Sequence, residues 1–195
     1  MTLYFIPVRT GSDQETLAQL AGEIWREYWP SRIGSAQTEY MVEQSQSLAA
    51  IERDMAEHDY EYWFLVESDG VASDASGGAG DAGDASDAGD AKGAPWGNIM
   101  GFTGGHDEPA TDRFFISKIY LLDSARGKGY CRRVVEFYTA LCQTRGLRAM
   151  YLTVNKYNEL GIRAYKGTGF EVIDSVETDI GSGFIMDDFI MEKQA

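Results

Sequence analysis

The stretch SARGKGYCRR, residues 124–133, lies between an apolar run, FFISKIYLL (114–122), and a segment whose apolar residues recur at helical spacing, VVEFYTALCQTRG (134–146). It therefore occupies the point where a strand hands over to a helix. Two glycines and four cations gather there, with little bulk besides Tyr130. A helix N-terminus presents unpaired N–H groups and about half a positive charge, so it holds an anion by backbone alone. Gly127 and Gly129 let the chain wrap closely around such a ligand, and Arg126, Lys128, Arg132 and Arg133 add charge of the right sign. The spacing points to a phosphate or pyrophosphate site.

Outward from this junction the chain alternates strands and helices. TLYFIPV (2–8) reads as a strand. Ser12 and Glu15 form an S-x-x-E capping box ahead of Leu17, Leu20, Ala21, Ile24, Trp25 and Tyr28, a helical stripe that Pro30 ends. Residues 38–57 read as one weaker helix, and YEYWFLVE (60–67) and NIMGFTGG (98–105) as two strands of a distended hairpin. RFFISKIYLL (113–122) is the next strand, and its following helix ends at Gly146 in the left-handed conformation. AMYLTVN (149–155) is a strand, Asn158 caps a short helix, and FEVIDSV (170–176) and FIMDDFIME (184–192) close the chain as strands. This order predicts an α/β fold, a mixed and mostly antiparallel sheet with helices on both faces.

Length and composition bound the rest. A chain of 195 residues, 44% hydrophobic and 12% aromatic, is expected to fold as one domain with a full core. A net charge of −14 argues against a nucleic-acid partner. Much of that excess sits in residues 70–94, GVASDASGGAGDAGDASDAGDAKGA, too poor in apolar side chains to order itself and read as a disordered acidic insert. A calcium-binding nonapeptide repeat is the sharper alternative there, but Asp81 falls one position early for it. No stretch approaches the ~18 apolar residues of a membrane span and no basic leader precedes one, so a cytoplasmic protein without membrane association is expected. Cys131 and Cys142 share one helix, too far apart for a disulfide.

Neither a Walker loop nor a dinucleotide fingerprint fits the junction, because Arg132 stands where the latter needs its third glycine. What fits is R-x-x-G-x-small, from Arg126 to Cys131, and this resembles the pyrophosphate loop of the GNAT superfamily of acetyl-CoA-dependent N-acyltransferases. Cys131 replaces that motif's usual Gly or Ala. Downstream, NELGIRAYKGTGF (158–170) is similar to the family's N-x-x-A-x-x-x-Y-x-x-x-G-F element, with Gly161 in place of the Ala.

The resemblance implies a GNAT-type fold whose sheet parts between its fourth and fifth strands. Ile119, Tyr120 and Leu121 would lie along the pantetheine arm, and residues 126–131 (Arg126, Gly127, Lys128, Gly129, Tyr130, Cys131) around the pyrophosphate. It also implies that Tyr165 protonates the leaving thiolate and that a backbone N–H near Ile119 or Tyr120 meets the oxyanion. Asn158 either bonds the coenzyme arm or serves as a plain N-cap. The general base stays open: His106, Asp107 and Glu108, an ordinary polar turn, or a water chain. The amine pocket is expected from Tyr28, Trp29, Gln37, Tyr40, Glu43 and Asp179, with Trp25 and Tyr28 also on the core stripe, and His58 at the surface. The expected activity is acetyl transfer from acetyl-CoA to the primary amine of a small molecule or peptide, by a monomer or homodimer and without a metal. The alternatives are a catalytically weak CoA-binding regulatory module, and a scaffold whose insert recruits a basic partner.

Overall fold

The computed structural model describes residues 2–68 and 97–195; the acidic insert expected at 70–94 lies outside them. Seven strands form one sheet in the order β1-β2-β3-β4-β5-β7-β6. They are β1 (Thr2–Pro7), β2 (Glu61–Ser68), β3 (Ile99–Glu108), β4 (Arg113–Leu121), β5 (Ala149–Asn155), β6 (Glu171–Gly181) and β7 (Phe184–Gln194). All neighbouring pairs are antiparallel except β4 with β5. The expected mixed sheet is present, with its single parallel pair where the long helical crossover lies.

The helices are α1 (Gly11–Tyr28), α2 (Pro30–Ile33), α3 (Ser35–Ser45), α4 (Leu48–Glu57), α5 (Tyr130–Arg145) and α6 (Glu159–Lys166). The capping box of α1 lies two residues earlier than expected: Thr10 accepts from Asp13 N, and Asp13 accepts from Thr10 N. Any of the overlapping Thr/Ser and Asp/Glu pairs satisfies the spacing, so sequence alone does not choose between them. Pro30 ends α1 by opening α2 at its first position. The helix expected over 38–57 is broken at Gln46, after which Ser47 caps α4 by accepting from Ala50 N. Gly146 ends α5 at φ 69°, as its position in the chain implied.

Two layers of helix cover the sheet. On one face, α5 and α6 pack on Leu3, Trp63, Leu65, Phe114, Ile116, Leu152, Val154 and Met191. On the other, α1 and α4 cover Tyr62, Phe64 and Phe102, and α1 with α3 encloses Trp25, Trp29 and Met41. The alternation Tyr62, Trp63, Phe64, Leu65 shows a strand buried on both sides.

The pairing of β3 with β4 is interrupted once. Gly104 pairs with Lys118 but Gly105 pairs with Ile116, so Ser117 is an extra residue, a bulge in β4. It reverses which face each subsequent side chain takes. Phe114 and Ile116 face α5 before it; after it Ile119 and Leu121 do, while Lys118 and Tyr120 turn to the opposite face. There the Lys118 ammonium donates to the Tyr62 hydroxyl at 2.8 Å and pairs with Asp54 at 3.5 Å.

Candidate active site

The parallel pairing of β4 with β5 consists of Arg113 with Ala149, Phe114 with Met150 and Phe115 with Tyr151, and goes no further. Beyond it the strands part, and residues 116–121 of β4 have no strand partner on that side among the described residues. Free strand edges bind extended ligands through their backbone. A cavity of about 400 Å³ fills the gap, within the range of small-molecule sites. Its walls come from both faces of the sheet: Ile119, Leu121, Val154, Cys131 and Tyr165 on the α5 side, Trp25, Trp29, Tyr120, Met186 and Asp188 on the α1 side.

The N-terminus of α5 opens into this cavity. Gly129 is its N-cap at φ +82° and no side chain among the described residues caps the helix; Gly127 has φ +75°. Both values lie in the left-handed region that glycine tolerates and other residues resist, and the space beside each Cα is empty. Arg126 reaches back along the mouth: its Nε donates to Leu121 O at 3.2 Å, Nη1 pairs with Asp123 at 3.0 Å, and the guanidinium lies 4.7 Å from the Tyr28 ring. Gly127, Gly129, Tyr130 and Cys131 line the cavity, whereas Lys128 is exposed and does not. The Tyr130 ring is buried and its hydroxyl donates to Glu67, which anchors the first turn of α5 to β2. Burial pushes the Cys131 thiol up to about 11, the opposite of what a nucleophilic thiol needs.

From α6 come Asn158 and Tyr165. Asn158 is the N-cap: its Oδ1 accepts from Gly161 N at 3.0 Å and also from the Tyr28 hydroxyl at 2.7 Å, tying α1 to α6 across the mouth. Tyr165 packs against Phe170, and burial raises its hydroxyl well above the ordinary tyrosine range, so it stays protonated at any physiological pH.

At the α1 end, Tyr28, Trp29 and Gln37 line the cavity, together with Trp25 and Tyr120. Tyr40, Glu43 and Asp179 do not. The Tyr40 hydroxyl donates to Ile180 O and its ring lies 5.3 Å from Phe184, so it braces the β6–β7 hairpin; Glu43 is exposed. Asp179 accepts from Gly181 N within the hairpin turn. His106, Asp107 and Glu108 belong to β3 rather than to a turn, and stand at the paired end of the sheet, away from the cavity. The His106 ring lies between Tyr60 and Phe115, Asp107 pairs with Arg145 at 2.8 Å, and Glu108 accepts from the Tyr151 hydroxyl.

The residue that sequence reasoning passed over is Asp188. It is 5% exposed, lines the cavity, and its Oδ1 is buried without a hydrogen-bond partner among the described residues. Burial raises its carboxyl to about 6; Asn155 draws it down, Asp187 pushes it up, and Lys156 draws it down again. A signal existed: Asp187 and Asp188 interrupt the apolar strand FIMDDFIME and take opposite faces, so a sheet covered by helices on both sides encloses at least one of them. Among the described residues the indole N–H groups of Trp25 and Trp29 are likewise buried without a hydrogen-bond partner, the Trp25 ring lying edge-on to Tyr120.

The fold recurs in solved structures. The PaiA N-acetyltransferase of Thermoplasma acidophilum, in complex with coenzyme A, superposes with a TM-score of 0.69 at 18% identity over 100% of both chains. A spermidine N-acetyltransferase of Vibrio cholerae, with CoA and spermine, gives 0.62 at 14% over 98% of this chain and 95% of that one. A GNAT acetyltransferase of Streptococcus pneumoniae gives 0.60 at 14% over 100% of both. At such identities the likeness concerns the fold, which is that of the GNAT acetyltransferases. Residues 85–170, which carry β3, β4, α5, β5 and α6, match the profile of the Acetyltransferase (GNAT) family. No curated protein matches the chain.

Proposed function

We propose that this chain transfers the acetyl group of acetyl-CoA to a primary amine, by direct attack while both substrates are bound. The observation that carries the reading is the coincidence of the gap between β4 and β5 with the uncapped, glycine-led N-terminus of α5. Backbone N–H groups at 127–131 would receive the pyrophosphate, with Arg126 at its flank. The unpaired edge of β4 at 119–121 would receive the pantetheine arm as an added strand does. Lys128, exposed and outside the cavity lining, would meet the coenzyme at the rim.

Two groups do the chemistry in this reading, and three more hold the amine. A backbone N–H near Ile119 or Tyr120 stabilises the negative charge that grows on the thioester oxygen. Tyr165, held protonated by burial, gives its proton to the departing thiolate. Tyr28 and Trp29 bound the amine, and Asn158 orients the mouth through Tyr28.

The test is release of CoA thiol from acetyl-CoA across a panel of amines, peptide N-termini included, with Tyr165→Phe beside the parent. The parent acetylates at least one amine, and Tyr165→Phe lowers kcat by on the order of 10²–10⁴ with little change in CoA affinity. A parent that binds CoA and acetylates nothing is instead a CoA-binding regulatory module.

A further inference from the structure

The acceptor end of the cavity has a composition of its own. Among the described residues lining the cavity, Asp188 is the one carboxylate and Arg126, in the α5 loop and against the Tyr28 ring, the one cation. The walls around the Asp188 side are aromatic: Trp25 lies 5.2 Å from Trp29 and 5.7 Å from Tyr120, and Tyr28 stands edge-on to Trp29 at 5.2 Å. Asp188 is opposite Asn155 in the β5–β7 register, so it sits at the parted end of β5 and on the face away from α5 and α6. Tyr165 approaches the same gap from the other face.

A linear polyamine carries several ammonium groups, and each one buried needs its own carboxylate or water. This cavity has a counter-charge for one. Flat apolar walls recognise instead a hydrocarbon or aromatic body through dispersion and cation–π contact. We infer that the acceptor is a monoamine with an apolar or aromatic body, its nitrogen held by Asp188, which takes the proton that frees the nitrogen for attack. The inference rests on the acetyl-transfer reading and names the substrate class and base within it.

The proton count closes. The ammonium gives one proton to the Asp188 carboxylate, and the neutral nitrogen forms the C–N bond as the C–S bond breaks. The thiolate takes the Tyr165 proton, the nitrogen's second proton restores that tyrosine, and Asp188 releases its proton to solvent. The charged and titratable groups around Asp188 among the described residues are Asp187 on its own strand, Lys156 just past the end of β5 and Tyr120 from β4, with the Asn155 amide beside it.

The experiment compares 2-phenylethylamine with spermidine as acceptors for the parent, Asp188→Asn and Asp188→Glu, with CoA affinity measured separately by calorimetry. Expected are a kcat/KM at least about tenfold higher for 2-phenylethylamine, a fall in its kcat on the order of 10²–10⁴ for Asp188→Asn, partial recovery for Asp188→Glu, and CoA affinity equal in all three. Equal or better use of spermidine, or an Asp188→Asn enzyme as fast as the parent, overturns the inference while CoA binding and acetyl transfer stand. A parent that binds no CoA or acetylates no amine overturns the acetyl-transfer reading, and this inference with it.

Discussion

Replacing Asp188 by Asn stabilises the fold, and the size of the gain follows from burial. Desolvation lifts the carboxyl from an ordinary 3.8 to about 6, and the residue is 5% exposed, so solvent does not screen the effect. A tenfold change in proton affinity is worth about 1.4 kcal/mol, which makes the penalty for ionising the folded protein about 3 kcal/mol at neutral pH. The sign is set by which state holds the proton. Well below 3.8 the acid is protonated in both folded and unfolded chains and costs nothing. Between 3.8 and about 6 the folded chain keeps a proton that the unfolded chain has lost, so stability falls as pH rises; above about 6 the penalty is constant. Asparagine has the same shape and no such titration, although its amide also needs partners, so the expected gain is about 1–3 kcal/mol. For a chain of this length that is a rise in melting temperature of about 2–10 °C at pH 7.5. Differential scanning calorimetry of both proteins from about pH 4.5 to 7.5 reads it, and the gap widens toward neutral pH before levelling. A variant that melts with the parent at pH 7.5, or a gap that narrows as pH rises, refutes the description of Asp188 as a desolvated, incompletely paired carboxylate.

Other perturbations have outcomes of comparable clarity. Gly129→Val forces a β-branched residue to φ +82° at the N-cap of α5, and calorimetric CoA affinity falls at least about tenfold while the circular dichroism spectrum stays that of the parent. Unchanged affinity means the pyrophosphate lies elsewhere. Deleting residues 72–93 leaves the pairing of β2 with β3 intact, because Glu67 N already donates to Asn98 O at the base of that connection, and thiol release continues at the parental rate. Tyr138→Phe removes a buried hydroxyl 2.8 Å from Thr103 and lowers stability by about 1 kcal/mol in urea titration, since the Thr103 hydroxyl keeps its bond to Lys118 O.

What could be read from the chain was what local chemistry decides. The glycines of the α5 loop, the Gly146 terminus and the Asn158 cap each depend on a few neighbouring residues, and each stands where the spacing put it. The expected parting of the sheet after the fourth strand is present because the α5 crossover brings β5 beside β4 only at one end. Residues that owe their setting to distant segments were less legible. Tyr40 reads as a pocket aromatic until the β6–β7 hairpin, some 140 residues on, takes its hydroxyl. His106, Asp107 and Glu108 read as a polar turn until β3 runs through them into pairing with β4. Asp188 hides within an apolar strand, and only the packing of α1 and α3 over that face makes its burial apparent.

The bulge at Ser117 has a consequence that is a matter of parity. From Phe114 to Leu121 the strand needs an odd interruption so that Ile116 and Ile119, three apart, face the same side. Were Ser117 drawn into the ladder as an ordinary paired residue, strict alternation would carry Lys118 to the side of Ile116. Its ammonium would then turn into the apolar layer beneath α5, and Tyr120 would leave the aromatic wall it shares with Trp25. Deleting Ser117 does the opposite: Gly104 still faces Lys118 and Gly105 still faces Ile116, so every side chain beyond the deletion keeps its own side. What holds Ile119 and Leu121 toward α5 and Tyr120 toward α1 is that one residue of the strand goes uncounted in the ladder.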